Sequence, residues 1–387
     1  MSMFGPPLPS IEAPDGKDVF DYPMNKDEMY TFLGSLEPGG RWKNEDLEHP
    51  SGQERVTFDD GFNRVVYGNP IKVGGGGFGI VYTFKILEEP ENYFKSTLYY
   101  FHVRDSNRLV RLIPRKIAVK ISYGIEAAIV EKDGVEAFNN VWKHVKSEFH
   151  PVRFRLFWLG QKRFGLTFMP VFSDSLQGII FTFDDGGMSV LGIVQRLIEQ
   201  FNLLRRFNVY VCDIKPPNVL VGYGSHDDPK QISVMLSDFG GFIDLKKTTP
   251  PMHVTYPLRG RSEPSERLAV WSFGLILLFS ALENRAEQEI FHNLFRSDKT
   301  PQSDMEEFFK PIVHRLNTAD YQKASQLAVE MSRNVLSENE TKGCSLMALC
   351  ILYALSDPER GEQPTLEVLH QIIKSDDEVY KRRRLSG

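Results

Sequence analysis

The hydrophobic periodicity of the chain changes character once, and that change limits the fold more than any other feature. From Val73 to about Asp174 the apolar residues come in short strand-like runs: residues 80–86, 98–103, 110–114 and 116–122. One helical stretch interrupts them, with Val135, Phe138, Val141, Trp142 and Val145 at three- and four-residue spacings. Beyond Asp174 the spacing becomes mainly helical, as in residues 191–207 and in Met305, Phe308, Phe309, Ile312, Val313 and Leu316. Alternating residues share one face of a strand, whereas residues three and four apart share one face of a helix. Strands first and helices afterwards predict an α+β protein with two lobes. At 387 residues, 41% of them hydrophobic, the chain is long enough for both.

Ahead of these lobes, residues 1–64 read as an extension. Residues 1–22 are rich in proline and acidic side chains and predict no regular structure. Asn25 and Glu28 form a helix-capping pair before Met29, Phe32, Leu33 and Leu36, which share one helical face. A Gly/Pro/Glu-rich linker at 37–54 then leads into strand-like alternation over 55–71. The net charge of -5 gives no reason to expect nucleic acid as a partner. The one dense basic cluster, residues 381–384, reads as a solvated tail within 376–387, or as a localisation or docking element. Cys212, Cys344 and Cys350 form no CxxC pair, and nine histidines show no paired-ligand spacing, so a reducing compartment and no structural metal are expected. No secretory signal and no bilayer-length apolar run is visible. The expected compartment is cytoplasmic or nuclear; a secreted effector is the alternative if a signal precedes this sequence.

The chemistry concentrates in Val211-Cys212-Asp213-Ile214-Lys215-Pro216-Pro217-Asn218-Val219-Leu220-Val221 and in Asp238-Phe239-Gly240. The polar loop 222–231 separates two apolar runs, Val219-Leu220-Val221 and Val234-Met235-Leu236, and predicts a hairpin that brings Asn218 and Asp238 together. Asp213 can accept a hydroxyl proton, Lys215 can reach a transferred phosphate, and Asn218 with Asp238 can hold magnesium. Upstream, Gly74-Gly75-Gly76-Gly77-Phe78-Gly79-Ile80-Val81 fits the GxGxxGxV pattern between two strands. Glycines there let backbone amides approach phosphate oxygens, although a glycine run is also an ordinary flexible turn. Lys120, in Ile117-Ala118-Val119-Lys120-Ile121, either points into water from an edge or requires a buried anionic partner. Glu136 is the first choice of partner, with Glu131 and then Glu126 as alternatives.

In this order, with Trp271-Ser272-Phe273-Gly274 following, these motifs resemble the eukaryotic protein kinase family over about residues 65–375. The resemblance implies a β-rich N-lobe at 65–171, with an insertion at about 87–115, and a helical C-lobe at 172–375. It implies that Gly74, Gly76 and Gly79 cover the phosphates of ATP, that Val81 and Ala118 line the adenine site, and that Lys120 holds the α- and β-phosphates. Phe168 would stand at the back of the adenine pocket, with Met169 to Val171 as the hinge. Lys215, two residues after the base Asp213, is similar to the serine/threonine-specific branch.

The chain departs from that family beside its catalytic residues. Val211-Cys212 stands where the family has His-Arg, which implies that loop phosphorylation is not the switch. Ala269 replaces the aspartate that braces the catalytic loop with that histidine. The Ala-Pro-Glu landmark is either Tyr256-Pro257-Leu258 or Glu263-Pro264-Ser265-Glu266, and its arginine partner is replaced by Gln363 or displaced to Arg360. Thr248, Thr249, Thr255 and Tyr256 carry no recognition context. Cys212 reads as a buried strand residue, with redox sensitivity as the alternative. The elaborated first lobe and missing His-Arg pair are reminiscent of the secreted rhoptry-type kinases and pseudokinases of apicomplexan parasites. Arg382-Arg383-Arg384-Leu385-Ser386 resembles a basic-directed phosphorylation site and equally a disordered tail.

The leading expectation is an ATP- and magnesium-dependent serine/threonine kinase acting on protein hydroxyls. The second is a pseudokinase that repositions a regulatory partner protein, and the third is a small-molecule kinase, which the position of Val211 disfavours.

Overall fold

The computed structural model describes residues 55–59, 64–76, 79–88, 101–105, 108–112, 116–122, 124–144, 152–159, 162–172, 174–178, 190–223, 232–245, 255–258, 263–297, 299–318, 323–357 and 361–385. The helix expected within 25–36 and the linker at 37–54 lie outside them. The chain divides into two units, Met1–Val171 and Phe172–Gly387, each with its own dense set of internal contacts. The architecture is mixed α+β: antiparallel sheet dominates the first unit and helices the second.

The strands of the first unit are β1 (Arg55–Asp59), β2 (Arg64–Gly76), β3 (Gly79–Glu88), β4 (Phe101–Asp105), β5 (Arg108–Leu112), β6 (Lys116–Ser122), β7 (Arg153–Leu159) and β8 (Lys162–Pro170). Six form one antiparallel sheet in the order β1-β2-β3-β6-β8-β7, while β4 and β5, among the described residues, form a separate two-stranded pair. The segment read as an insertion thus contributes its own two-stranded ribbon. Pairing between β2 and β3 slips between Gly68 and Ile71, where Pro70 has no N–H for the ladder. It then closes through Gly74↔Val81, Gly75↔Ile80 and Gly76↔Gly79, so the glycine run is the tip of a hairpin.

Helix α1 (Gly124–His144) follows β6. Its buried residues Ala128, Glu131, Val135 and Phe138 recur at three- and four-residue spacings and form the stripe that faces the unit's core.

The second unit contains β9 (Asp174–Ser175), α2 (Val190–Arg206), β10 (Val209–Val211), β11 (Val219–Tyr223), β12 (Ile232–Leu236) and β13 (Phe242–Asp244). After these come α3 (Glu266–Ser280), α4 (Arg285–Arg296), α5 (Gln302–Thr318), α6 (Gln326–Ser332), α7 (Glu338–Thr341), α8 (Leu346–Leu355) and α9 (Leu366–Leu385). Helix α3 is its centre: every residue from Arg267 to Ser280 is buried, as a helix apolar all round must be. Ser265 caps it by accepting from the Leu268 N–H at 3.1 Å.

Helix α3 approaches α8 closely enough to require Gly274, since a Cβ there would lie 2.6 Å from the Ala354 Cβ. Arg267, itself buried, donates to the carbonyls of Ala354 at 3.0 Å and Ser356 at 2.6 Å and so satisfies the C-terminal end of α8. Helix α9 continues without a break through the basic cluster at 381–384 to Leu385. Lysine and arginine are good helix formers, so a basic run alone does not stop a helix. Among the described residues no helix is long and apolar enough to cross a membrane.

Candidate functional site

The first unit assembles its polar residues on one face of the sheet. In an antiparallel pair, directly opposed residues point to the same side. Lys120 on β6 opposes Val81 on β3 and Thr167 on β8; Ala118 opposes Thr83 and Met169; Ser122 opposes Gly79 and Gly165. Val81, Ala118, Lys120 and Met169, all singled out in the sequence, therefore share a face. Gly79 sits where a Cβ would be 2.5 Å from the Ile121 carbonyl oxygen, so no other residue fits that pairing. Gly77 and Phe78 lie outside the described residues.

Two expectations are corrected here. Phe168 opposes Val119, and alternation turns it to the face away from Lys120. Thr167 is the β8 residue beside the lysine. Glu136 is not the lysine's partner: the Lys120 ammonium donates to Glu131 Oε2 at 2.6 Å, and Glu136 pairs with Lys132 at 3.0 Å on the outer side of α1. The reason is periodic. Glu131 falls on the Ala128-Val135-Phe138 stripe, whereas Glu136 is turned off it and its side chain is 34% exposed.

Lys120 is 8% exposed and Glu131 2%, which makes this a buried ion pair. Thr167, fully buried, donates its hydroxyl to Glu131 Oε1 at 3.2 Å. Both carboxylate oxygens thus have a donor, the condition under which a buried carboxylate is tolerated. Val171 is half-buried just beyond β8, and the side chain of Glu126 is outside the described set.

In the second unit, the hairpin β11–β12 pairs Val219 with Leu236, which sets Asn218 and Asp238 at the same end of the ribbon, as the two apolar runs predict. Asn218 closes a short 3-10 turn, Pro216–Asn218, and its Nδ2 donates to Asp238 Oδ2 at 3.2 Å and to the Asp213 carbonyl at 3.3 Å. Asp238 adopts a left-handed backbone, φ 63° and ψ 67°, which is strained for a residue with a Cβ. The following Phe239 is fully buried, 5.0 Å ring to ring from Phe242, and anchors that turn.

Asp213 stands between a side chain and a backbone donor. Lys215 Nζ donates to its Oδ2 at 3.2 Å and lies 3.9 Å from Asp238 Oδ2. The Thr255 N–H donates to Oδ1 at 2.6 Å, and Lys215 reaches the Thr255 hydroxyl at 3.4 Å. Thr255 was given no role in the sequence reading; its contact is made by a backbone amide across 42 positions, which no side-chain pattern signals. The buried Tyr256 fixes it in place. The Tyr256 hydroxyl meets His292 Nδ1 at 2.8 Å, and burial pushes the phenol up to about 12.

Cys212 lies one residue beyond β10, not within a strand, and is buried. Burial raises its thiol to about 12, which favours the protonated form. Val211 and Ala269 are buried and apolar as well. Glu266 accepts from the Leu366 N–H at 2.9 Å, with Arg205 Nε 3.7 Å away, so the guanidinium near it comes from α2. Gln363 is exposed, and Arg360 lies outside the described residues.

The second unit thus brings together Asp213, Lys215, Asn218 and Asp238 with Thr255, while Lys120 and its partners belong to the first. The Asn218 amide and the Asp238 carboxylate are in direct contact, and each carries an oxygen of the kind that a small hard cation accepts. Among the described residues no group of three or more His, Cys, Asp or Glu could hold a metal ion. Comparison with models of protein families finds none that matches this chain, and comparison with curated proteins finds no match either.

Proposed function

We propose that this chain is an ATP- and magnesium-dependent protein serine/threonine kinase with a bilobal kinase-like fold. The observation that carries the reading is the convergence of Asp213, Lys215, Asn218 and Asp238 through contacts of 3.2 to 3.9 Å. A carboxylate beside a lysine, next to an amide and a second carboxylate that touch each other, supplies the kinds of group that transfer of a phosphoryl group to a hydroxyl needs.

In this reading Asp213 orients the attacking hydroxyl and accepts its proton. Lys215, already between Asp213 and Asp238, offsets charge on the phosphoryl oxygens as it passes. Asn218 and Asp238 would hold magnesium, which when bound supplies positive charge at the β- and γ-phosphates. Lys120 takes the α- and β-phosphates, and its ion pair with Glu131 fixes the direction in which the ammonium points. Val81, Ala118 and Met169, apolar and on the same face, suit the adenine ring. Thr255 holds Asp213 through Oδ1, while Lys215 takes Oδ2.

A second reading, a pseudokinase that acts by binding a partner protein, is favoured by one observation: the Thr255 amide already occupies Asp213 Oδ1 at 2.6 Å. One experiment separates the two. The full chain is incubated with labelled ATP, magnesium and a generic protein substrate, alongside Asp213→Asn and Asp238→Ala. Kinase activity predicts measurable transfer that falls at least ~100-fold in both variants, since the base and the ligand act only in the transferring complex. Magnesium-dependent thermal stabilisation by ATP without transfer would favour the pseudokinase; no stabilisation by ATP at all would end the nucleotide reading.

A further inference from the structure

We infer that Thr167 is a positioning residue for the Lys120–Glu131 pair, holding the glutamate so that the lysine is aimed before any ligand arrives. This rests on the reading of Lys120 as a phosphate-binding residue. The argument starts from the two bonds on one carboxylate: Glu131 Oε2 receives the Lys120 ammonium at 2.6 Å, and Oε1 receives the Thr167 hydroxyl at 3.2 Å. A carboxylate held through one oxygen can rotate about its terminal torsion, and the lysine on a flexible four-carbon stem follows it. Bonds to both oxygens fix the plane of the group.

The placement of the three residues makes this a built arrangement. Thr167 opposes Lys120 across the β6–β8 ladder, so both rise from the sheet side by side, while Glu131 comes from the buried stripe of α1. Thr167 is fully buried and Glu131 2% exposed, so water is not at hand to replace the hydroxyl. Threonine is also stiff at its first torsion, which limits where the hydroxyl can point. The consequence is that the ion pair stands ready in the free protein: closing it needs neither a phosphorylated loop nor a bound partner. That fits a chain whose residue before Asp213 is a buried cysteine.

The test compares Thr167→Val and Thr167→Ala, which remove the donor, with Thr167→Ser, which keeps it. Two readouts are taken on the full chain. The first needs no nucleotide: the rate at which an amine-reactive ester labels Lys120, followed by mass spectrometry. An ion-paired ammonium is a poor nucleophile, and loss of its anion favours the neutral amine. The labelling rate is expected to rise several-fold, up to ~10-fold, in Glu131→Gln, in Thr167→Val and in Thr167→Ala, and to stay within ~2-fold of wild type in Thr167→Ser.

The second readout is the dissociation constant for magnesium-ATP. It is expected to rise ~10-fold in Thr167→Val, to recover in Thr167→Ser, and to be unchanged by Thr167→Val when Lys120 is already Met. A threonine that merely fills space would weaken binding in both backgrounds and would not be rescued by serine. Unchanged labelling in the two donor-free variants, with labelling raised in Glu131→Gln, would overturn the assignment. Altered labelling in a protein that binds no nucleotide would keep the positioning role and overturn the nucleotide reading instead. Should Thr167→Val fail to fold, the alanine variant carries the same comparison.

Discussion

The two glutamates of α1 provide the sharpest separation between a contact that the sequence suggested and the one that the fold makes. Glu131→Gln keeps the shape of the side chain and one oxygen acceptor but removes the charge opposite a lysine that is 8% exposed. Removing one partner of a buried ion pair outright costs about 3–5 kcal/mol. Glutamine still offers an oxygen to Lys120 or Thr167, so about 2–3 kcal/mol is expected. Glu136→Gln breaks an exposed pair with Lys132 one helical turn away, and such pairs contribute about 0.3–0.5 kcal/mol. The difference between the variants is therefore about 2 kcal/mol. Urea unfolding of the first unit, followed by hydrogen exchange of peptides from β6, β8 and α1, reads it directly. With a slope near 1–1.5 kcal/mol per molar for a unit of this size, Glu131→Gln should lower the midpoint by about 1.3–3 M and Glu136→Gln by no more than ~0.5 M. Equal shifts, or a larger one for Glu136→Gln, would refute the assignment of Glu131 as the buried partner and with it the stripe argument for α1.

Two other consequences concern the second unit. Gly274→Ala should lower its stability by about 1–2 kcal/mol, because the added methyl meets Ala354 and Leu355 at 2.6 and 2.8 Å and the overlap outweighs the ~1 kcal/mol helix preference of alanine. A raised melting temperature would show that α3 and α8 separate freely. Acid should also weaken this unit, since burial holds His292 and His370 below the ordinary imidazole value. The folded state therefore favours the neutral rings, so their contribution is complete above about pH 6.5 and is lost as the pH falls through the folded values. The Asn202 amide, which donates to His370 Nδ1 at 2.9 Å, would face a second donor once that nitrogen is protonated. Melting temperatures measured from pH 7.5 to 5.5 should fall less steeply in His370→Gln than in wild type, and parallel curves would remove His370 from the account.

Much of the site was legible because local chemistry carries it. Turn residues between two apolar runs imposed the β11–β12 hairpin, and a hairpin fixes the distance between the residues at its open end, here Asn218 and Asp238. Lys120 was legible as a buried cation in need of an anion. Its partner is legible too, since the same spacing that joins Val135 and Phe138 continues back to Glu131, while Glu136 falls off that stripe. Phe168 failed for a different reason. Which of two adjacent β8 residues opposes Lys120 depends on strand register, and register is set by pairing between segments that are more than forty positions apart. Thr255 was the least accessible, because a backbone N–H has no residue type to announce it.

The departures beside Asp213 are consistent with one another in physical terms. On the proposed kinase reading, Val211 and Ala269 stand where a histidine and an aspartate would brace this loop, and both are buried and apolar. A lone survivor of that pair would be an unsatisfied buried polar group costing about 1–3 kcal/mol, whereas loss of both can be nearly neutral. The loop instead hangs on backbone bonds. Val211 pairs with Phe242 in the β10–β13 ribbon, the Cys212 N–H donates to the Gly241 carbonyl at 2.9 Å, and the Gly241 N–H donates to the Asp238 carbonyl at 3.0 Å. These bonds run from the residue before Asp213 to Asp238 itself, so backbone bonds join the Asn218 and Lys215 side chains in tying the proposed base to the proposed metal ligand. On that reading the two replacements come as a matched apolar pair, and Asp213, Lys215, Asn218 and Asp238 stay joined by contacts of 3.2 to 3.9 Å.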